Sequence, residues 1–155
     1  MVHRENAQCK RMSVLDLCPK ILGMSTPHLI IDTNVLLDLF VFTDPRVAAL
    51  HDDITSKRCQ MFFCREMLDE FRDVLGRVQF NLSDEDQNNI LRYWQELGTQ
   101  LTIKHSAPVR CSDPDDQIFI DLAFQVRPAV LYSKDLALIV LRSNLLDLEI
   151  EVLTY

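Results

Sequence analysis

From residue 28 onward the chain switches repeatedly between two hydrophobic patterns. Leu29-Ile-Ile31 is a short apolar run, and Thr33 to Phe42 continues apolar over a length better suited to a helix than to a strand. Asp44-Pro45 then places an acid cap before a first-turn proline and opens a helix to about Ser56. Gln60 to Cys64 is the next expected strand. Met67, Phe71, Val74 and Val78 mark one stripe of a helix from Arg65 to about Val78. Ser83, with an acid three residues on, starts a helix to about Glu96 ahead of Gly98. Leu101 to Lys104 reads as a short strand and Asp113 to Gln125 as a helix. Ala129 to Ser133 is a strand, Asp135 to about Asn144 a helix, and Glu149 to Leu153 the last strand.

Strands alternating with helices over a whole domain predict an α/β fold with a central, mostly parallel sheet covered on both faces. Ligands in such folds collect beyond the carboxyl ends of the strands, near the point where strand order reverses. Residues 28–155 are expected to form this domain. Residues 1–27 have no clear period and contain the breakers Pro19 and Gly23. They read as an N-terminal extension, flexible or with a short helix between Ser13 and Leu22. Met24-Ser-Thr-Pro would make a natural start, so the extension is expected to be dispensable.

Composition narrows the class. At 155 residues, 48% hydrophobic and 25% charged, the chain can bury roughly two-thirds of the surface it exposes when unfolded. Its longest apolar stretch, Val35 to Phe42, is interrupted by Asp38 and falls far short of the ~20 residues of a membrane span. No signal-peptide pattern is visible, so a cytoplasmic protein without a membrane partner is expected. Five cysteines, odd in number and without a C-x-x-C pair, read as reduced thiols. A net charge of −7 argues against bulk attraction of nucleic acid. It leaves room for a local basic groove, or for clustered acids offset by metal ions.

The acids supply the chemistry. Asp32 ends the first strand, between Ile31 and an apolar helix, where an unpaired charge is costly. Glu70 lies about 40° from Val74 at the border of its helix's apolar stripe, while Asp69 and Asp73 face away. Asp116 sits two turns before Ala123 on one helix face, and Asp135 follows the fourth strand. Helix starts favour acids through capping and the dipole, which alone would account for Asp113 and Asp135. Asp38 reads as a solvated or rim acid. Two carboxylates about 4 Å apart repel by roughly 4 kcal/mol at an effective dielectric near 20, so a cluster needs protons or cations. Oxygen donors without histidine or thiolate select Mg²⁺ or Mn²⁺. His28, His51 and His105 fall outside these motifs and read as surface or packing residues.

Three rivals fail on spacing. A haloacid-dehalogenase-type phosphatase needs an aspartate where Asn34 stands, a dinucleotide fold needs a glycine-rich turn after the first strand, and a receiver domain needs paired acids elsewhere. In contrast "IIDTNVLL", "REMLDEFRDVL", "DPDDQIFIDLA" and "LYSKDL" resemble, in order and spacing, the motifs of PIN-domain nucleases. The nearest likeness is to the bacterial group assigned as toxin components of toxin–antitoxin systems. The resemblance implies a three-layer α/β/α PIN-like domain and Mg²⁺- or Mn²⁺-dependent cleavage of RNA. It assigns Asp32, Glu70, Asp116 and Asp135 to catalysis and metal binding, with Asn34 and Ser133 in support. It also implies an RNA substrate, a cognate antitoxin protein and a homodimer. Lys134, Arg65, Arg110 and Arg127 are candidate phosphate contacts. Ala137 stands where the family often has a second acid, which leaves one or two metals open. The alternative is a non-catalytic PIN-like module that binds RNA or protein.

Overall fold

The computed structural model describes Ser13, Val14 and residues 26–155. Most of the helix expected between Ser13 and Leu22, with His3, Cys9 and Cys18, therefore lies outside the described residues. Five strands form one sheet: β1 (His28–Ile31), β2 (Gln60–Phe63), β3 (Gly98–Gln100), β4 (Ala129–Tyr132) and β5 (Ile150–Leu153). All neighbouring pairs are parallel and the order is β3-β2-β1-β4-β5. Helices α1 (Thr33–Phe40), α2 (Ala48–Thr55), α3 (Arg65–Leu75), α4 (Asp84–Leu97), α5 (Gln117–Gln125), α6 (Leu136–Ile139) and α7 (Arg142–Leu146) connect them.

The sheet is covered on both faces. Successive strand residues point to opposite sides, yet Leu29, Ile30 and Ile31 are all buried, as is every residue of β4. This explains why the strands read as continuous apolar runs. The chain leaves β1 towards β2 on one side and returns to β4 on the other, so the switch point lies between β1 and β4. Asp32 follows one of these strands and Ser133 the other. The Asp32 N–H extends the ladder to the Tyr132 carbonyl at 3.1 Å.

Three of the boundaries that differ from the periodicity have a clear physical cause. The expected strand at Leu101–Lys104 starts earlier: Gly98 pairs with Met61, and a Cβ at Gly98 would lie 2.9 Å from the Phe63 ring. Only a residue without a side chain lets the helix end run straight into the strand. The Leu101 N–H still reaches the Phe63 carbonyl, but Thr102 and Lys104 are held through the Gln125 side chain. Helix α3 stops at Leu75, with Gly76 as its cap, so Val78 leaves the apolar stripe and stands 95% exposed. The helix expected from Asp135 to Asn144 is two short ones, because Leu141 N–H bonds the Leu138 carbonyl and tightens the turn between them.

Two residues of the extension, Ser13 and Val14, touch the domain. Ser13 Oγ and Val14 N–H both donate to Asp53 Oδ2 at 2.8 Å, and Val14 is buried. These two residues thus satisfy a buried acid of α2. Among the described residues no helix is long and apolar enough to cross a membrane.

Candidate functional site

Strand ends and helix phase bring four acids to one place. Asp32, Asn34, Glu70, Asp116 and Asp135 line a single pocket of about 200 Å³, together with Thr33, Arg77 and Gln79. Each acid is placed by local structure. Asp32 caps α1, its Oδ1 accepting from Val35 N–H at 2.9 Å. Asp135 caps α6, accepting from Ala137 N–H at 2.8 Å, so it is both a cap and a pocket acid. Asp113 caps the 3₁₀ turn Pro114–Asp116 through Asp115 N–H, and that turn directs Asp116 into the pocket. Glu70 lies on the α3 face that also presents Val74, with Arg77 following just beyond the helix end, while Asp69 pairs with Arg65 and Arg72 in solvent.

Ser133 couples two of the acids. Its hydroxyl, fully buried, donates to Asp32 Oδ2 and accepts from the Asp135 N–H at 2.9 Å. Lys134 N–H adds a longer bond to Asp32 Oδ2 at 3.3 Å. Thr33 Oγ1 donates to Glu70 Oε1 at 2.9 Å. Asp32 thus has three donors, none of them charged. Asp116 has less: its Oδ2 is buried without a hydrogen-bond partner.

Electrostatics follow from that geometry. Burial raises Asp32 above the ordinary carboxylate range against the pull of Ser133, Val35 and Lys134, with Asp135 pushing the same way as burial. Glu70 is raised by burial, against its Thr33 bond, and further by Asp115 and Asp32. Asp116 is pushed up to about 7, by burial first and then by Asp135, Asp113, Asp32 and Glu70. Mutual repulsion among these groups is a cation-shaped problem. An unpartnered buried carboxylate oxygen beside three other carboxyls fits a hard divalent ion. As they stand, however, no three His, Cys, Asp or Glu side chains among the described residues are gathered closely enough to hold one.

Other expectations are redistributed. Asp38 is no rim acid: it is buried and accepts from Lys134 Nζ and Tyr155 Oη. That bond commits Lys134, a candidate phosphate contact, to a carboxylate. Arg65 is paired with Asp69, and Arg110 is exposed outside the pocket lining. Arg127 precedes β4, at the amino end of the sheet opposite the acids, where it bonds the Phe124 carbonyl and covers the Phe124 ring. Sequence reasoning missed Thr33 and Arg77. Thr33 was hidden by its place in an apolar helix, and Arg77 by the expectation that α3 ran through it. His28 and His51 line no part of the pocket. The described cysteines are free, and burial pushes Cys59 up to about 12 and Cys64 up to about 11. A larger cavity of about 430 Å³, between α1, α2 and α4, contains none of the four acids.

The model of the PIN-domain family matches residues 28–137, more than half of the chain, including all four acids. The chain belongs to the PIN-domain family. No curated protein matches it. PIN domains are in general nucleases, hydrolases that typically use divalent metals, and the pocket at the β1/β4 switch point is where this PIN domain gathers its acids.

Proposed function

We propose that this PIN domain, spanning residues 28–155, is a Mg²⁺- or Mn²⁺-dependent endoribonuclease with Asp32, Glu70, Asp116 and Asp135 as its metal-binding and catalytic acids. The observation that carries the reading is Asp116 Oδ2, buried, unpartnered and surrounded by other carboxyls. A purely structural acid in that position would have found a donor. When bound, a divalent cation supplies Lewis-acid chemistry, lowering the pKa of a water and offsetting charge on the phosphodiester.

The protein's own residues prepare that chemistry. Ser133 fixes Asp32 and the Asp135 backbone relative to each other, so two acids from opposite sides of the switch point keep one geometry. Thr33 orients Glu70 on the pocket wall through its Oε1. Asp116 supplies the buried oxygen, and nearby positive charge favours its ionised form against burial and the neighbouring acids. Asn34, exposed on the pocket wall, is placed to donate to a phosphate oxygen.

The test is cleavage of a defined RNA panel with Mn²⁺, using Asp32→Asn as the control. Metal-dependent products from the wild type and none from the variant are expected; equal cleavage by both would remove the site. The rival reading, a PIN-like module that binds RNA or protein without cutting, draws on the wide spacing of the acids, no three of which among the described residues are gathered for an ion. Binding without metal-dependent cleavage would favour it.

The finer role, toxin of a toxin–antitoxin pair in the cytoplasm, rests on the resemblance of the four motifs. A small antitoxin encoded beside the gene, and growth arrest on expression relieved by it, would support that role. The expected homodimer is tested by light scattering, where a monomer at working concentration would exclude it.

A further inference from the structure

The segment Arg77-Val-Gln-Phe-Asn81, where α3 has stopped and the next helix has not begun, carries features the four acids do not use. A 3₁₀ turn over Val78–Phe80 closes on Asn81 in the left-handed region, φ 49°. The turn leaves Val78 95% exposed and sets Gln79 and Phe80 on the pocket wall. The Phe80 ring packs against Phe42, centroids 5.9 Å apart, and Phe42 is itself 57% exposed. Phe42 and Val78 thus face water beside a pocket full of acids, with the partly buried Phe80 ring packed against Phe42.

Among the described residues, Arg77 is the only cation lining that pocket. Unlike Arg46, Arg58, Arg65, Arg72 and Lys134, it makes no ion pair among the described residues. A chain of net charge −7 with an acidic pocket repels a polyanion, so a strand entering it needs a local positive charge. Bases of an unpaired strand also need a surface for their π-faces, which exposed aromatic side chains provide.

We propose that Arg77 and the Phe42–Phe80 pair form a nucleotide-binding platform at the mouth of the acid pocket, Arg77 holding a backbone phosphate and the rings stacking an unpaired base. The ligand class is single-stranded RNA. In a duplex the bases are occupied with each other and cannot reach the rings. The proposal deepens the nuclease reading and rests on it for the position of the scissile phosphate.

The experiment is fluorescence anisotropy with a labelled single-stranded RNA and a duplex of the same sequence. The full chain carries Asp116→Asn so that the RNA survives. Adding Arg77→Ala should weaken single-strand binding roughly tenfold and reduce the slope of log Kd against log salt by about one. Adding Phe42→Ala should weaken it roughly fivefold or more and leave duplex binding unchanged, with Phe42→Tyr restoring the affinity. Because Phe42 is mostly exposed, its unfolding midpoint should not move. The platform is overturned if both variants bind single strands as tightly as their parent. It is equally overturned if the chain binds no RNA, or if the substitutions alter only self-association. Cleavage by the chain with its native acids separates the two claims. Metal-dependent cleavage indifferent to Arg77 and Phe42 removes the platform alone. RNA binding that responds to both, without cleavage, removes the nuclease reading alone.

Discussion

Asp53 and Asp116 are both acids drawn into the molecule, and the protein treats them in opposite ways. Asp53, fully buried in α2, accepts from Ser13 Oγ and Val14 N–H and pairs with Arg58 at 2.8 Å. Asp38 is likewise answered by Lys134 and Tyr155, and Asp121 by Ala107 N–H and the Gln117 amide. Asp116 meets other carboxyls instead, and one of its oxygens meets nothing. Burial alone therefore does not mark a functional acid here. What separates Asp53 from Asp116 is compensation: donors close the first, while the second keeps a buried oxygen open to a ligand from outside.

Substitution should divide the regions by what each one loses. The largest effect is expected on activity. Asp116→Asn should lower metal-dependent RNA cleavage by roughly 10³-fold or more without unfolding the chain, as read by initial rates and circular dichroism. Asp53→Ala should do the reverse. Leaving the Ser13 and Val14 donors without their acceptor is expected to lower the unfolding free energy by roughly 2–4 kcal/mol in urea titrations, with the rate per folded molecule retained.

A smaller effect concerns pH. Folded Asp116 keeps its proton up to about 7, whereas the unfolded chain releases it near the ordinary value of 3.8. Between those limits the unfolded state binds fewer protons, so this group's contribution is most favourable below the window and declines as pH rises through it. Because the carboxyl is only part-buried, the decline is expected to be about 1–2 kcal/mol after solvent screening. In metal-free protein, the stability gap in favour of Asp116→Asn should widen from pH 4 to pH 8, measured by denaturant unfolding. The smallest effect belongs to the surface pair: Arg65→Ala should change stability by under about 0.5 kcal/mol, since its partner Asp69 is solvated.

Much of this contrast could be read in the sequence, and the exceptions have a common cause. Asp32, Glu70, Asp116 and Asp135 were legible because each one's direction is fixed locally, by a strand end or by helix phase. The alternation of strands and helices likewise made the parallel sheet legible. Asp38 was not, because its partners lie 96 and 117 residues away and no local pattern announces them. Asp53 depends in the same way on Ser13, 40 residues earlier. Arg77 and Phe80 escaped because apolar spacing carried α3 on to Val78, whereas the helix ends at Gly76 and the turn beyond it reorients every side chain. The early start of β3 depends on Gly98 fitting against Phe63, a contact made only in the folded sheet.

The central claim is that the acids at the β1/β4 switch point, none of them in an ion pair among the described residues, form one divalent-cation site. Mn²⁺ binding at neutral pH, followed by electron paramagnetic resonance as free ion is consumed, tests it without requiring an RNA substrate. Saturable uptake is predicted for the wild type and for Asp53→Asn under conditions where that variant stays folded, with uptake lost in Asp32→Asn and Asp116→Asn. Wild-type protein that takes up no Mn²⁺, or Asp116→Asn protein that takes it up equally well, would contradict the account.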